Sequence, residues 1–289
     1  MMYPKRVVPL ASLLLNFIGV GQPSGGTAHD LTLTADVGKT VFFEDEPIFI
    51  LLRLTNIGSD TAWVLGFAAI SQVVQMSVRR NGAAVPVGGL WIDYMCPGER
   101  CGDPLAPGKS QLTAGIVQDR AGDEIDFKRS LFTHHLRPGD YELRVNAYAV
   151  EAAPVTFRVR ERGSAETRDL KELEAIRSLV WDQDKTPYEA ALISWLAGHP
   201  KDDPFLPFLL AQWLYGPIEA VAQRANLDLD TLRLVVLRAD QFSPAGAYIA
   251  QSMEAWRPQQ LATLVEPLGT SLAGEMARYL VERRQGKPR

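Results

Sequence analysis

The two cysteines of the 289-residue chain, Cys96 and Cys101, stand with four residues between them in "WIDYMCPGERCGDPLAPGKS". Paired thiols serve redox exchange, zinc binding or a disulfide. Redox motifs place two residues between their cysteines. A tetrahedral zinc site needs four ligands, and no histidine clusters with this pair. Pro97 and Gly98 can turn the chain so that the α-carbons come within the ~5–6 Å of a disulfide. A structural disulfide is therefore expected, with reduced or interchain cysteines as the alternatives. Closing so short a loop removes about 2 kcal/mol of unfolded-state freedom, enough to shape a loop and too little to hold a domain. The segment from Gly88 to Pro107 then reads as a long, stiffened loop, aromatic at its base. Its candidate binding residues are Trp91, Tyr94, Met95 and Arg100. The simpler reading is that Trp91, Ile92, Tyr94 and Met95 only cover an open end of the β core.

Other fragments resemble active-site signatures and fail on spacing. "PGKS", Pro107 to Ser110, ends like a phosphate loop, but the position that must be glycine is Asp103, so it reads as a turn. Asp182 and Asp184 begin like a calcium loop, yet the sixth and twelfth positions are Pro187 and Ile193 in place of glycine and glutamate. "DRAGDEID", Asp119 to Asp126, reads as a solvated acidic turn. In "GTSLAG" the position two residues after Ser271 is Ala273, so the nucleophile-elbow pattern is broken, and the surroundings are helical. His134 and His135 are adjacent, and neighbours on a strand point to opposite faces. Catalytic and metal residues are therefore expected to be none, and no cofactor is implied.

The elements that would hold these residues fall into two stretches. The chain opens with Lys5 and Arg6, an apolar run from Val7 to about Val20, and small residues through Ala28, the order of a secretory signal peptide. The run is shorter than the ~20 apolar residues of a membrane span, so none is expected after cleavage. Between His29 and Gly163, 14 Lys/Arg face 17 Asp/Glu, and Ser164 to Arg289 carries the same numbers. Neither half has the basic excess that phosphate neutralisation needs, which argues against nucleic acid.

Leu31 to Arg160 holds seven or eight short β-rich runs separated by turn residues, with Asn81-Gly82 as a hairpin signal. In "LRPGDYELRV", Pro138-Gly139 turns the chain, and Tyr141, Leu143 and Val145 alternate toward one face. "KTVFFEDEPIFILLRLTNIGSDTAWV", "LAPGKSQL", "LRPGDYELRVNAY" and "APVTFRVRE" resemble the immunoglobulin-like domains of bacterial secreted proteins, including those similar to the bacillar intracellular proteinase inhibitor. The shared marks are an acidic residue and β-rich strand leading into Asn56-x-Gly58, and a Pro-Gly-x-Tyr turn. The resemblance spans His29 to about Gly163 and implies a β-sandwich.

After "ERGSAETRD" the period changes. Leu170, Leu173, Ile176 and Val180 form one helical stripe, and Thr186-Pro187 and Asp203-Pro204 read as helix starts. Five to seven helices are expected, and "WLAGHPKDDPFLPFLLAQWLY" is similar to the helix-turn-helix of tetratricopeptide-like repeats. The expected fold class is multidomain α and β: residues 29–163 an immunoglobulin-like antiparallel β-sandwich, residues 164–289 an all-α helical bundle or short helical repeat array, behind a signal peptide of residues 1–28.

These features point to an exported, periplasmic or extracellular, non-catalytic binding or scaffold protein whose partner is another protein or an envelope component. A second reading is a proteinase inhibitor presenting Arg100 from the Cys96–Cys101 loop, where rigidity would reduce the entropy lost on binding. A third is a hydrolase with a site between the modules built on Asp182, Asp184 or His199.

Overall fold

The computed structural model describes residues 30–44, 46–65, 74–85, 87–88, 102–119, 136–161, 241–253 and 258–285, with single positions and short stretches between 175 and 211. Two sheets face each other. The first has the order β1 (Leu31–Asp36), β3 (Ile48–Asn56), β9 (Ser110–Asp119) and β7 (Val87–Gly88). The second runs β2 (Val41–Phe43), β12 (Val155–Arg160), β10 (Gly139–Ala147), β5 (Val74–Arg80) and β6 (Ala83–Val85), and β11 (Val150–Glu151) also pairs with β10. A separate ribbon joins β4 (Ala62–Leu65) to β8 (Gly102–Leu105). Every pairing is antiparallel except β2 on β12.

The chain therefore leaves the first sheet after β1 and joins the far edge of the second. The crossing turn contains Gly38 at φ 77°, a left-handed conformation suited to glycine. A Cβ there would lie 2.7 Å from Pro244 Cδ. Asn81 and Gly82 both have positive φ between the paired residues Arg80 and Ala83, the two-residue hairpin expected of Asn-Gly. The Tyr141 hydroxyl donates to the Arg137 carbonyl four residues upstream at 2.6 Å, a tyrosine corner that fixes the entry to β10. Its ring stacks on Phe157 at 5.3 Å, and Phe42 meets Phe157 edge-on at 5.5 Å. The N-terminal region is thus an immunoglobulin-like sandwich.

The run "IFILLRLTN" has two buried faces. Ile48, Ile50, Leu52 and Leu54 point into the core between the sheets, with Leu143, Val145, Phe157 and Val159 opposite. Phe49 and Leu51 point the other way, with Leu112, Ala114 and Ile116 of β9, into a second core whose other wall is helical. That wall includes α1 (Pro244–Ser252), α2 (Pro258–Leu268) and α3 (Leu272–Arg284), and it buries Ile249, Met253, Leu261, Met276 and Leu280. Leu192, Trp195, Phe205, Leu209 and Leu210 belong to the same cluster.

This corrects the expected fold class. Among the described residues the fold is mainly β, 42% strand against 32% helix, with few and short helices in place of an all-α bundle or repeat array. Among the described residues the core lined by the helices takes one side from the first sheet. Arg53, the charged member of β3's outer row, forks onto both carboxylate oxygens of Glu275 in α3. Gln251 of α1 caps the β9 backbone: Oε1 accepts from the Ala114 N–H at 2.7 Å and Nε2 donates to the Ala114 carbonyl at 2.9 Å. One side-chain amide thereby does what a neighbouring strand would do at that point. The "GTSLAG" fragment is the break between α2 and α3, where the buried Ser271 Oγ accepts from the Gly274 N–H at 3.1 Å and donates to the Leu268 carbonyl at 2.6 Å. Its serine is a helix cap.

Two stability measurements check this packing. Gln251→Ala leaves the Ala114 N–H and C=O without their partner and is expected to cost about 2 kcal/mol in urea unfolding. At the β10–β11 turn, Tyr148 and Ala149 have φ of 54° and 61° without being glycine. Ala149→Gly relieves left-handed strain of ~1–2 kcal/mol against an entropic cost of ~0.5–1 kcal/mol, so it is expected to raise the unfolding midpoint.

Candidate binding surfaces

Asn56 ends β3 and is fully buried. Its Nδ2 donates to the carbonyls of Asp60 and Leu105, both at 2.7 Å, and its Oδ1 accepts from the Gly58 N–H at 2.9 Å. Its backbone N–H donates to the Lys109 carbonyl at 3.0 Å, and its carbonyl accepts from the Gly108 N–H at 2.8 Å. One side chain thus fastens the approach to β4 and the end of β8 to the first sheet. Gly58 completes the motif, because a Cβ there would stand 2.8 Å from that of Asp30. The "PGKS" fragment is the expected turn: the Lys109 N–H donates to the Ala106 carbonyl at 3.0 Å, and the Ser110 hydroxyl lies 2.7 Å from that of Thr55.

The fastened ribbon has an inner and an outer side. Ala62, Val64 and Leu105 are buried, whereas Trp63, paired in register with Pro104, is 59% exposed. Ile57, on the turn leading into the ribbon, is 62% exposed. β8 begins one residue after Cys101. The expected loop from Gly88 to Pro107 is therefore shorter than the sequence suggested, since Gly102–Leu105 is strand. Cys96, Cys101, Trp91, Tyr94, Met95 and Arg100 lie outside the described residues, as do Asp182, Asp184 and His199.

A second surface lies on the outer face of the second sheet. The alternation that buries Tyr141, Leu143, Phe157 and Val159 turns Asp140, Glu142, Arg144, Arg158 and Arg160 outward, and Arg79 stands opposite Glu142. Arg158 forks onto Asp140, Nε at 2.5 Å and Nη2 at 3.1 Å. Arg144 reaches Glu142 at 2.8 Å and Glu151 at 3.4 Å. The hydrogen bond from Arg158 holds the Asp140 carboxyl below its ordinary range, and Arg144, assisted by Arg79, does the same for Glu142. Between these side chains and Thr40, Asn81 and Thr156 is an open cleft of about 550 Å³. Among the described residues the Arg160 side chain has no hydrogen bond or ion pair.

Sequence reasoning named neither surface. For the second, the signal was present in "VTFRVR", where Arg158 and Arg160 alternate with buried apolar residues. For the first, Trp63 in "TAWVLGF" gave no sign of which side it would face. Among the described residues no helix is long and apolar enough to cross a membrane, and no three His, Cys, Asp or Glu side chains are grouped to hold a metal ion.

No protein-family model and no curated protein matches the chain. Several solved structures are similar to part of it. The CARDB domain of a Pyrococcus furiosus protein is 12% identical, covering 46% of this chain and 96% of that one at a TM-score of 0.25. The filamin domain of Lin-41 is 16% identical, covering 48% and 100% at 0.24. A β-glucosidase from Erythrobacter marinus is 14% identical over 45% of this chain and 15% of the enzyme, at 0.26. Likeness at this level says nothing of what the chain binds.

The charge pairs make a pH prediction. An arginine partner favours the ionised carboxyl, so each pair is fully formed above the carboxyl's ordinary pKa and is lost as pH falls through the lowered one. In an NMR titration Asp140 and Glu142 are expected to protonate below ordinary Asp and Glu. Arg158→Gln should move Asp140 upward, and Arg144→Gln should move Glu142 upward while leaving Asp140 in place.

Proposed function

We propose that the protein is an exported, non-catalytic binding protein that engages another protein or envelope component through the Trp63 ribbon and the turn that bears Ile57. The observation that carries this reading is a tryptophan held 59% exposed on a two-stranded ribbon that Asn56 fastens to the sandwich. Large aromatic side chains dominate binding energy at protein interfaces because they remove much apolar surface from water. A fastened ribbon adds to this, since little conformational entropy is lost when its partner arrives. Ile57 extends the apolar surface, and Asp60 and Thr61, both exposed, border it with polar groups.

Export rests on the first 28 residues, whose basic, apolar and small-residue order is that of a cleaved signal. Two measurements test the proposal. N-terminal sequencing of protein recovered outside the cytoplasm should begin at His29. Crosslinking of the exported chain in its native envelope fraction should yield a partner that Trp63→Ser removes. Phe242→Ser, which alters a still more exposed aromatic before α1, should retain it. Loss of the partner in both variants, or in neither, would count against the ribbon.

A further inference from the structure

We propose that the outer face of the second sheet binds an extended acidic peptide laid along β12, with carboxylates at alternate positions meeting Arg158 and Arg160. Both arginines leave β12 on the solvent side, two residues apart, while Phe157 and Val159 face the core. Side chains two apart on a strand are separated by about 6.6–7 Å, and an extended peptide repeats its own alternate side chains at that same spacing. An Asp-x-Asp segment therefore matches the two guanidinium groups in register.

The charges on this face are unequal. Arg79, Arg144, Arg158 and Arg160 stand against Asp140, Glu142 and Glu151, on a chain whose formal net charge is −4. Arg160 makes no ion pair among the described residues, so its donors are available. Arg158 spends Nε and Nη2 on Asp140, yet a guanidinium carries five N–H donors and can hold a second carboxylate from Nη1. Thr40, Thr156 and Asn81 line the cleft with further hydrogen-bonding groups. Asp140 and Glu142 beside the arginines disfavour a polyphosphate, which concentrates charge on every unit. A peptide sets its carboxylates apart and turns the intervening side chains away.

The site is separate from the Trp63 ribbon, so the failure of one reading leaves the other standing. The test uses the mature full-length chain and a labelled acetyl-Asp-Ser-Asp-Ser-Asp amide followed by fluorescence anisotropy. The peptide is expected to bind at low salt and weaken toward ~0.5 M salt. Arg160→Gln should reduce affinity about tenfold, the loss of one charge-assisted contact. Arg284→Gln, at the exposed end of α3, should leave it unchanged. The proposal is overturned if the peptide does not bind, if its Asn counterpart binds equally, or if Arg160→Gln and Arg284→Gln act alike. Tighter binding of inorganic tripolyphosphate at the same residues would overturn it in favour of a phosphate ligand.

Discussion

One strand belongs to two cores, and the rest of the molecule is arranged around it. Ile48, Ile50, Leu52 and Leu54 of β3 face the opposing sheet, while Phe49 and Leu51, from the positions between, face the helices. A strand with one wet face alternates apolar with polar, whereas a strand buried on both sides reads as a nearly unbroken apolar run. A slip of one residue would move every side chain to the wrong core at once. Arg53 reinforces the register, because only from the helical side can it reach Glu275.

This arrangement explains which parts of the fold could be read from the sequence. Local chemistry was legible: Asn81-Gly82 formed its hairpin, Pro107-Gly108 its turn, and Tyr141, Leu143 and Val145 alternated into the core. Asn56-x-Gly58 was recognised as a mark of the sandwich, although its physical basis, an amide joining β3 to the approach to β4 and the end of β8, needed three-dimensional neighbours. The relation between sheet and helices was misjudged. A helical stripe such as the one containing Ile176 tells that one face is buried and not what buries it. The clue lay earlier in the chain, in "IFILLRL", which is too uniformly apolar for a sheet with a wet outer face. Gln251 was equally silent, since a glutamine in a helix gives no hint that it will complete the hydrogen bonding of a strand 137 residues away.

The sandwich thus has two unlike outer faces. Helices cover the first sheet, and the second stays polar, with Arg158 paired to Asp140 and Arg144 to Glu142 and Glu151. The edges are also treated differently. Gln251 closes part of β9, while at β2 the Glu46 carboxylate accepts from the Phe43 N–H at 3.1 Å and holds Lys39 at 2.7 Å. Side chains that occupy edge donors and acceptors deter another chain from adding as a strand. The two proposed binding surfaces, the Trp63 ribbon and the charged face, use side chains and do not depend on backbone pairing.

The position of the helices along the chain has a consequence during synthesis. Both β3 and β9 precede residue 120, whereas α1, α2 and α3 occupy residues 244–284. A chain made from its N-terminus can complete the sandwich while the wall that covers Phe49, Leu51 and Ile116 has yet to emerge. Through that interval the nascent protein carries a bare apolar sheet face, the kind of surface that chaperones hold and that stalled chains aggregate through. The helices that withdraw this surface are made well after the strands they cover.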